Sequence, residues 1–314
     1  MRCRVLAGLA ALLILSGSGE ASPITPRALP LRAAPLAVAV GDGSVWVLAE
    51  RGDLAVVLKL APRTGTARET VRVGPHGPDI GAMTVGGGRI WAAAGNQLVA
   101  VDPARTAAAR RTRLPGLANA ISYGFGSVWV TTIGQSRHLL IRLDPRTLTI
   151  RARIRLTART VISGEGSGPT AVAAGLGSVW VAGFAALLRV DPATNRVASL
   201  LFPTSPSATG LAIARDRLWV LGGTTVTALD RRGRRIELLR LPVAGGNMAV
   251  TQRRLWVIDN CGCRRGTLLE VSLPTRRVIR RRPTGETPIA ISATSTTVWV
   301  ANFAGGTLSR FPTS

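Results

Sequence analysis

Histidine, cysteine and grouped carboxylates do most acid–base, redox and metal chemistry near neutral pH, and this chain has few of them. Its two histidines are far apart, His76 in Gly74-Pro75-His76-Gly77-Pro78 and His138 in Gln135-Ser136-Arg137-His138. Neither has a Glu or a second His at ligand spacing, so the sequence predicts no catalytic residue, no metal ligand and no cofactor. Cys261 and Cys263 share the segment Asp259-Asn260-Cys261-Gly262-Cys263. In an oxidising compartment that spacing suits a small local disulfide, with Gly262 relaxing the ring. Redox exchange and half of a zinc site are the other readings of the pair.

What must position these residues is a repeat. Gly43-Ser44-Val45-Trp46-Val47, Gly126-Ser127-Val128-Trp129-Val130 and Gly177-Ser178-Val179-Trp180-Val181 are one motif in three copies. Trp91, Trp219, Trp256 and Trp299 sit in looser copies, so all seven tryptophans occupy one equivalent position, about 42 residues apart on average. That period is one four-stranded propeller blade. Each repeat carries a small-residue inner strand, a Gly-rich turn, the Trp strand, a third strand and a fourth. Asp-Pro turns follow the third strand at Asp102-Pro103, Asp144-Pro145 and Asp191-Pro192, where the aspartate can accept from the backbone two residues on.

The seventh repeat stops after its third strand, Thr307 to Phe311, and the segment Ile24 to Leu31 is placed to supply the fourth. The predicted fold is therefore all-β: a seven-bladed β-propeller of four-stranded antiparallel blades, closed by the N-terminal strand completing blade seven. Ahead of that strand, the basic Met1 to Arg4 and the apolar Val5 to Ser16 read as a secretory signal peptide, residues 1–21, cleaved after Ala21. Residues 22–314 form the single domain. No later apolar run is long enough to anchor the chain in a bilayer. The expected location is extracytoplasmic, secreted or associated with the cell envelope, and the expected state is a monomer.

The pattern Ile-Ala-x-x-x-Gly-x-Val-Trp-Val-Ala-Asn followed by Leu-x-Arg-x-Asp-Pro-x-Thr resembles the YVTN-repeat and virginiamycin B lyase-like propellers, over Pro35 to Pro312. The resemblance implies a propeller. For the lyase members it also implies an elimination that uses a histidine base and magnesium. Neither His76 nor His138 lies in the late blades where that base is expected, so no catalytic residue carries over.

In a propeller, the connections into each blade and the loops between second and third strands emerge on one face. That face gathers His76, Gln135, His138 and Phe184 with Asp259, Asn260, Asn302 and Phe303, the candidate ligand-binding residues. The insertion Thr157 to Gly168 is either a lid over this face or a plain surface loop.

Charge adds a second surface. The chain carries a net charge of +24, and every basic residue but Lys59 is arginine. Arginines concentrate on the predicted fourth strands, as in Arg151, Arg153 and Arg155, which repels edge-to-edge pairing and offers a footprint to a polyanion. Three functions stand: a non-catalytic scaffold binding a protein or small-molecule ligand on one face, a lyase, and a binder of DNA or cell-envelope glycopolymer.

Overall fold

A computed structural model describes residues 27–75, 81–134, 138–156, 168–183, 186–201, 208–259 and 265–313. The expected signal peptide, His76, Gln135, Phe184, Asn260, Cys261, Cys263 and nearly all of the expected lid lie outside the described residues. Among those described, the strands form seven separate four-stranded antiparallel sheets, each in sequence order except one. The exception is blade seven, where Arg27–Pro30 pairs antiparallel with Thr307–Pro312 and completes the sheet, as the truncated seventh repeat predicts. No described helix is long and apolar enough to cross a membrane.

Blade three shows why the sequence folds this way. Its strands are Leu117–Gly124, Ser127–Ile133, His138–Leu143 and Ile150–Leu156. The second is buried along nearly its whole length because neighbouring blades cover both of its faces, so it reads as a continuous Val-Trp-Val-Thr-Thr run. The outer strand alternates, with Arg151, Arg153 and Arg155 exposed and Ile154 and Leu156 buried, as a strand with one solvated face must.

The tryptophans join the blades. Each of the seven core clusters contains one Trp together with residues of the following blade: Trp46 with Ile90 of blade two, Trp129 with Val179 of blade four, Trp299 with Val45 of blade one. Trp91 also stacks on Tyr123 of blade three, with ring centroids 6.4 Å apart. A Cβ on Gly86 would lie 2.4 Å from that tyrosine ring, so only glycine permits the approach.

Cations on the second layer of these junctions explain part of the arginine excess. Lys59 and Arg142 lie over the rings of Trp46 and Trp129, 5.5 and 4.9 Å from the centroids. Each then reaches the Asp-Pro turn of the next blade, Lys59 donating to Pro103 O at 2.8 Å and Arg142 to Pro192 O at 2.6 Å. Glu270, almost wholly buried, holds Arg254 and Arg282 at 3.1 and 3.5 Å, and Arg282 donates to Pro312 O of blade seven.

The Asp-Pro turns behave as the sequence predicts, Asp144 accepting from the backbone of Arg146 and Thr147 and Asp191 from that of Ala193. Thr147 N–H, then Arg146 N–H, hold the Asp144 carboxyl below the usual carboxylate range; Ala193 N–H and the Thr194 hydroxyl do the same for Asp191. A carboxyl lowered in the folded state stabilises fully above its unfolded pKa, and that contribution is lost as pH falls through the folded value. Urea unfolding of Asp144→Asn should therefore lie below wild type at neutral pH, and the gap should close as pH falls from about 5 to below about 3.

Candidate functional site

The loop face holds the four expected site residues that are described, and two of them are engaged internally. Asp259 ends the second strand of blade six, and its buried Oδ1 accepts from Thr267 N at 2.7 Å. Asn302, fully buried at the same place in blade seven, donates to Ser309 Oγ at 2.9 Å and accepts from Gly285 N at 3.1 Å. Gly266 N in turn donates to Gly285 O at 3.3 Å. The structure thus brings Asp259 and Asn302 into one hydrogen-bonded tie between blades six and seven. Phe303, half-buried, packs against the cluster that contains Leu36 and Leu48. His138 stands apart, opening the third strand of blade three opposite Leu156, with a buried Nδ1 that has no partner among the described residues.

At the axis, the inner strands enclose a channel of about 290 Å³ lined by residues of all seven blades. Around half of it, side chains staple each blade to the next. Asn119 donates to Pro169 O, Thr170 to Ala208 O at 2.5 Å, Thr209 to Gly245 O at 3.3 Å and Asn247 to Ile289 O at 3.2 Å. The other half is apolar, with Leu36, Met83 and Ile289. The polar groups at this mouth fix the ring, and the channel is smaller than the ~300–1,000 Å³ usual for ligand pockets.

The opposite face carries the hairpins between inner and Trp strands, and here the sevenfold repeat supplies its own control. In five blades both central turn residues have positive φ: Asp42-Gly43, Gly87-Gly88, Phe125-Gly126, Leu176-Gly177 and Arg215-Asp216. That is the type I′ geometry that matches strand twist. In the same five blades the Trp indole N–H donates to the carbonyl five residues earlier, as from Trp46 to Gly41 at 3.2 Å and Trp129 to Gly124 at 3.0 Å.

Blades six and seven break both rules. Their turns, Thr251-Gln252-Arg253-Arg254 and Thr294-Ser295-Thr296-Thr297, contain no positive φ. Thr294 Oγ1 instead accepts from Thr296 N and Thr297 N at 3.3 and 3.0 Å, a side-chain-supported turn. Trp256 Nε1 is buried without an acceptor. Between these two hairpins lies a cleft of about 490 Å³, lined by Val250, Thr251, Gln252, Arg253, Arg254, Ala293, Thr294, Ser295 and Thr313. Arg254 is committed to Glu270; Arg253 is exposed and its guanidinium has no partner among the described residues.

A second cleft, about 650 Å³, lies between blades four and five and is lined by Leu176, Gly177, Asp216, Asp230, Arg231, Arg232 and Arg234. Its hairpins are regular, Trp180 and Trp219 are bonded, and Asp230 accepts from Arg232 N and Arg234 N. The signal for the irregular site was in the sequence. Five hairpins offer Gly or an Asp-containing pair to the turn, whereas Thr-Gln-Arg-Arg and Thr-Ser-Thr-Thr offer neither.

Among the described residues, no three of His, Cys, Asp or Glu are grouped to hold a metal ion. The two described carboxylates on the strands of blade six are both taken, Asp259 at the loop face by Thr267 N–H and Glu270, farther along its strand, by two arginines. They do not fit the magnesium site that the lyase resemblance implies.

No protein-family model matches the chain, and no curated protein matches it. Among solved structures, the chain is similar to the WD40 domain of Neurospora crassa Pan2, with a TM-score of 0.66 and 10% identity over 89% of each chain. In all, 1211 solved chains match. At that identity the likeness shows the propeller fold alone.

Proposed function

We propose that the protein is an exported, non-catalytic scaffold that binds a protein partner in the cleft between blades six and seven. One observation carries this reading: the only two adjacent hairpins to leave the type I′ geometry, among seven described, flank that cleft and leave Trp256 Nε1 without an acceptor. A repeat kept in five blades and altered in two neighbours marks a place where fold regularity yields to another use. The lining sets the partner's chemistry. The hydroxyls of Thr251, Thr294 and Thr313 already donate to Arg254 O, Thr297 O and Ser295 O, so Arg253 and the Ser295 hydroxyl are the groups that suit a segment presenting a carboxylate and a backbone carbonyl.

Random peptides selected on the wild-type protein, with Arg253→Glu as counter-selection, test this reading. Selected peptides should be rich in Asp and Glu and should lose affinity at least tenfold on Arg253→Ala. Peptides that bind both forms equally would remove the cleft from the account.

The loop face is the second reading, and the buried, unpartnered Nδ1 of His138 favours it. A ligand there would contact His76, Gln135, His138, Phe184 and Asn260. Selected peptides whose binding falls with His138→Gln but not with Arg253→Ala would move the site to that face. The lyase reading draws no support from His138, whose strand partner is Leu156.

A further inference from the structure

The outer strands of blades one to three, Ala67–Pro75, Arg110–Arg113 and Ile150–Leu156, form one arc of the rim. Two arginines lock the arc together. Arg111 Nη2 donates to Arg72 O of blade one at 2.6 Å, and Arg110 donates to Arg146 O and Thr147 O of blade three. Arg151 pairs with Asp144, and the one acid on the three strands, Glu69, is held by Lys59 at 2.8 Å. That leaves the guanidinium groups of Arg72, Arg113, Arg153 and Arg155 exposed and without a partner among the described residues, with Arg68 exposed beside Glu69.

We infer that this arc binds a flexible, base-free phosphate polymer, independently of the scaffold reading. Arg153 and Arg155 point from one strand face about 6.6–6.8 Å apart, and guanidinium forks suit phosphate oxygens. Among the described residues, the exposed large apolar ones, Leu117, Phe125, Val197, Ile236 and Ile279, all lie off the arc. A single-stranded nucleic acid would want aromatic platforms for its bases, and a lipid surface would want apolar side chains to insert. The rim of a disc is convex, and bending a duplex of 20–30 base pairs by 40–90° costs about 1–6 kcal/mol. A flexible chain follows the curve without that cost.

The test uses the full chain and three probes, long-chain inorganic polyphosphate, single-stranded DNA and duplex DNA, with binding measured across salt concentration. Polyphosphate should bind tightest. Arg113→Gln/Arg153→Gln/Arg155→Gln should weaken it at least tenfold near 0.15 M salt and flatten the log K against log salt slope by about two. Arg240, Arg277 and Arg281 are exposed on the outer strands of blades five and six. Removing the same charge there, by Arg→Gln at all three, should change affinity less than about threefold. Equal losses in the two triple variants would show that net charge alone attracts the polymer and would overturn the proposal. Tighter binding of either DNA, or no polyphosphate binding near 0.1 M salt, would overturn it as well.

Discussion

Trp129→Ala should lower the free energy of unfolding by about 3–5 kcal/mol in urea titration, the loss expected for an aromatic ring removed from a packed interior. The ring is fully buried in the cluster that joins blade three to Val179 and Val181 of blade four. It also supports Arg142, whose guanidinium sits 4.9 Å from the ring centroid and bonds Pro192 O and Asn195 Oδ1 across the junction. The phenylalanine series sharpens the test. Trp129→Phe removes the indole bond to Gly124 O and should cost about 1 kcal/mol beyond the area lost. Trp256→Phe removes a buried donor that has no acceptor, so its cost should be the smaller of the two. Equal costs would mean that the hairpin difference between blades three and six has no energetic content.

Removing residues 27–31 should have the largest effect of any short deletion. Leu29 and Leu31 are buried in the cluster that seals blade seven to blade one, with Trp299, Val45 and Leu58. Four strand pairs, from Arg27↔Arg310 to Pro30↔Thr307, and the bond from Leu31 N to Gly306 O at 2.9 Å go with them. The two leucines alone account for roughly 4 kcal/mol or more. The deletion also bares the edge of Thr307–Pro312, which invites pairing with another chain. Light scattering should show association, and unfolding should lose cooperativity. A permuted chain carrying residues 27–31 after Thr313 through a short turn should recover a monomeric, cooperative ring. A deletion variant as stable as the parent would deny that this strand closes the propeller.

Much of this fold was legible because a propeller repeats its physics. The Trp is almost wholly buried in every blade, the Asp of the third turn bonds backbone at Asp144 and Asp191, and the N-terminal segment supplies the outer strand of blade seven. Site residues were less legible. Asn302 and Asp259 are polar, lie at loop ends and looked available, yet Gly285 N–H, Thr267 N–H and Ser309 Oγ take their bonding groups. Sequence cannot show this, because those partners come from other strands and from the connection between blades. The arginines divide for the same reason: Arg142 and Arg282 reach carbonyls of the next blade, whereas Arg153 and Arg155 face solvent, and only packing separates the two groups. The irregular hairpins were readable, since Thr251-Gln252-Arg253-Arg254 lacks the Gly that a positive φ favours. Their consequence for Trp256 needed the other five blades as a reference.

The most direct test of the binding scaffold is the side-chain NMR of the tryptophans, one indole N–H signal for each of the 7 in the chain. Five signals, from Trp46, Trp91, Trp129, Trp180 and Trp219, should show the downfield shift and low temperature coefficient of hydrogen-bonded protons, and those of Trp256 and Trp299 should not. On adding a selected acidic peptide, the Trp256 signal, two residues along the strand from Arg254 in the cleft lining, should shift while those five stay fixed. A Trp256 proton already bonded in the free protein, or peptide-induced shifts confined to the other blades, would contradict the account.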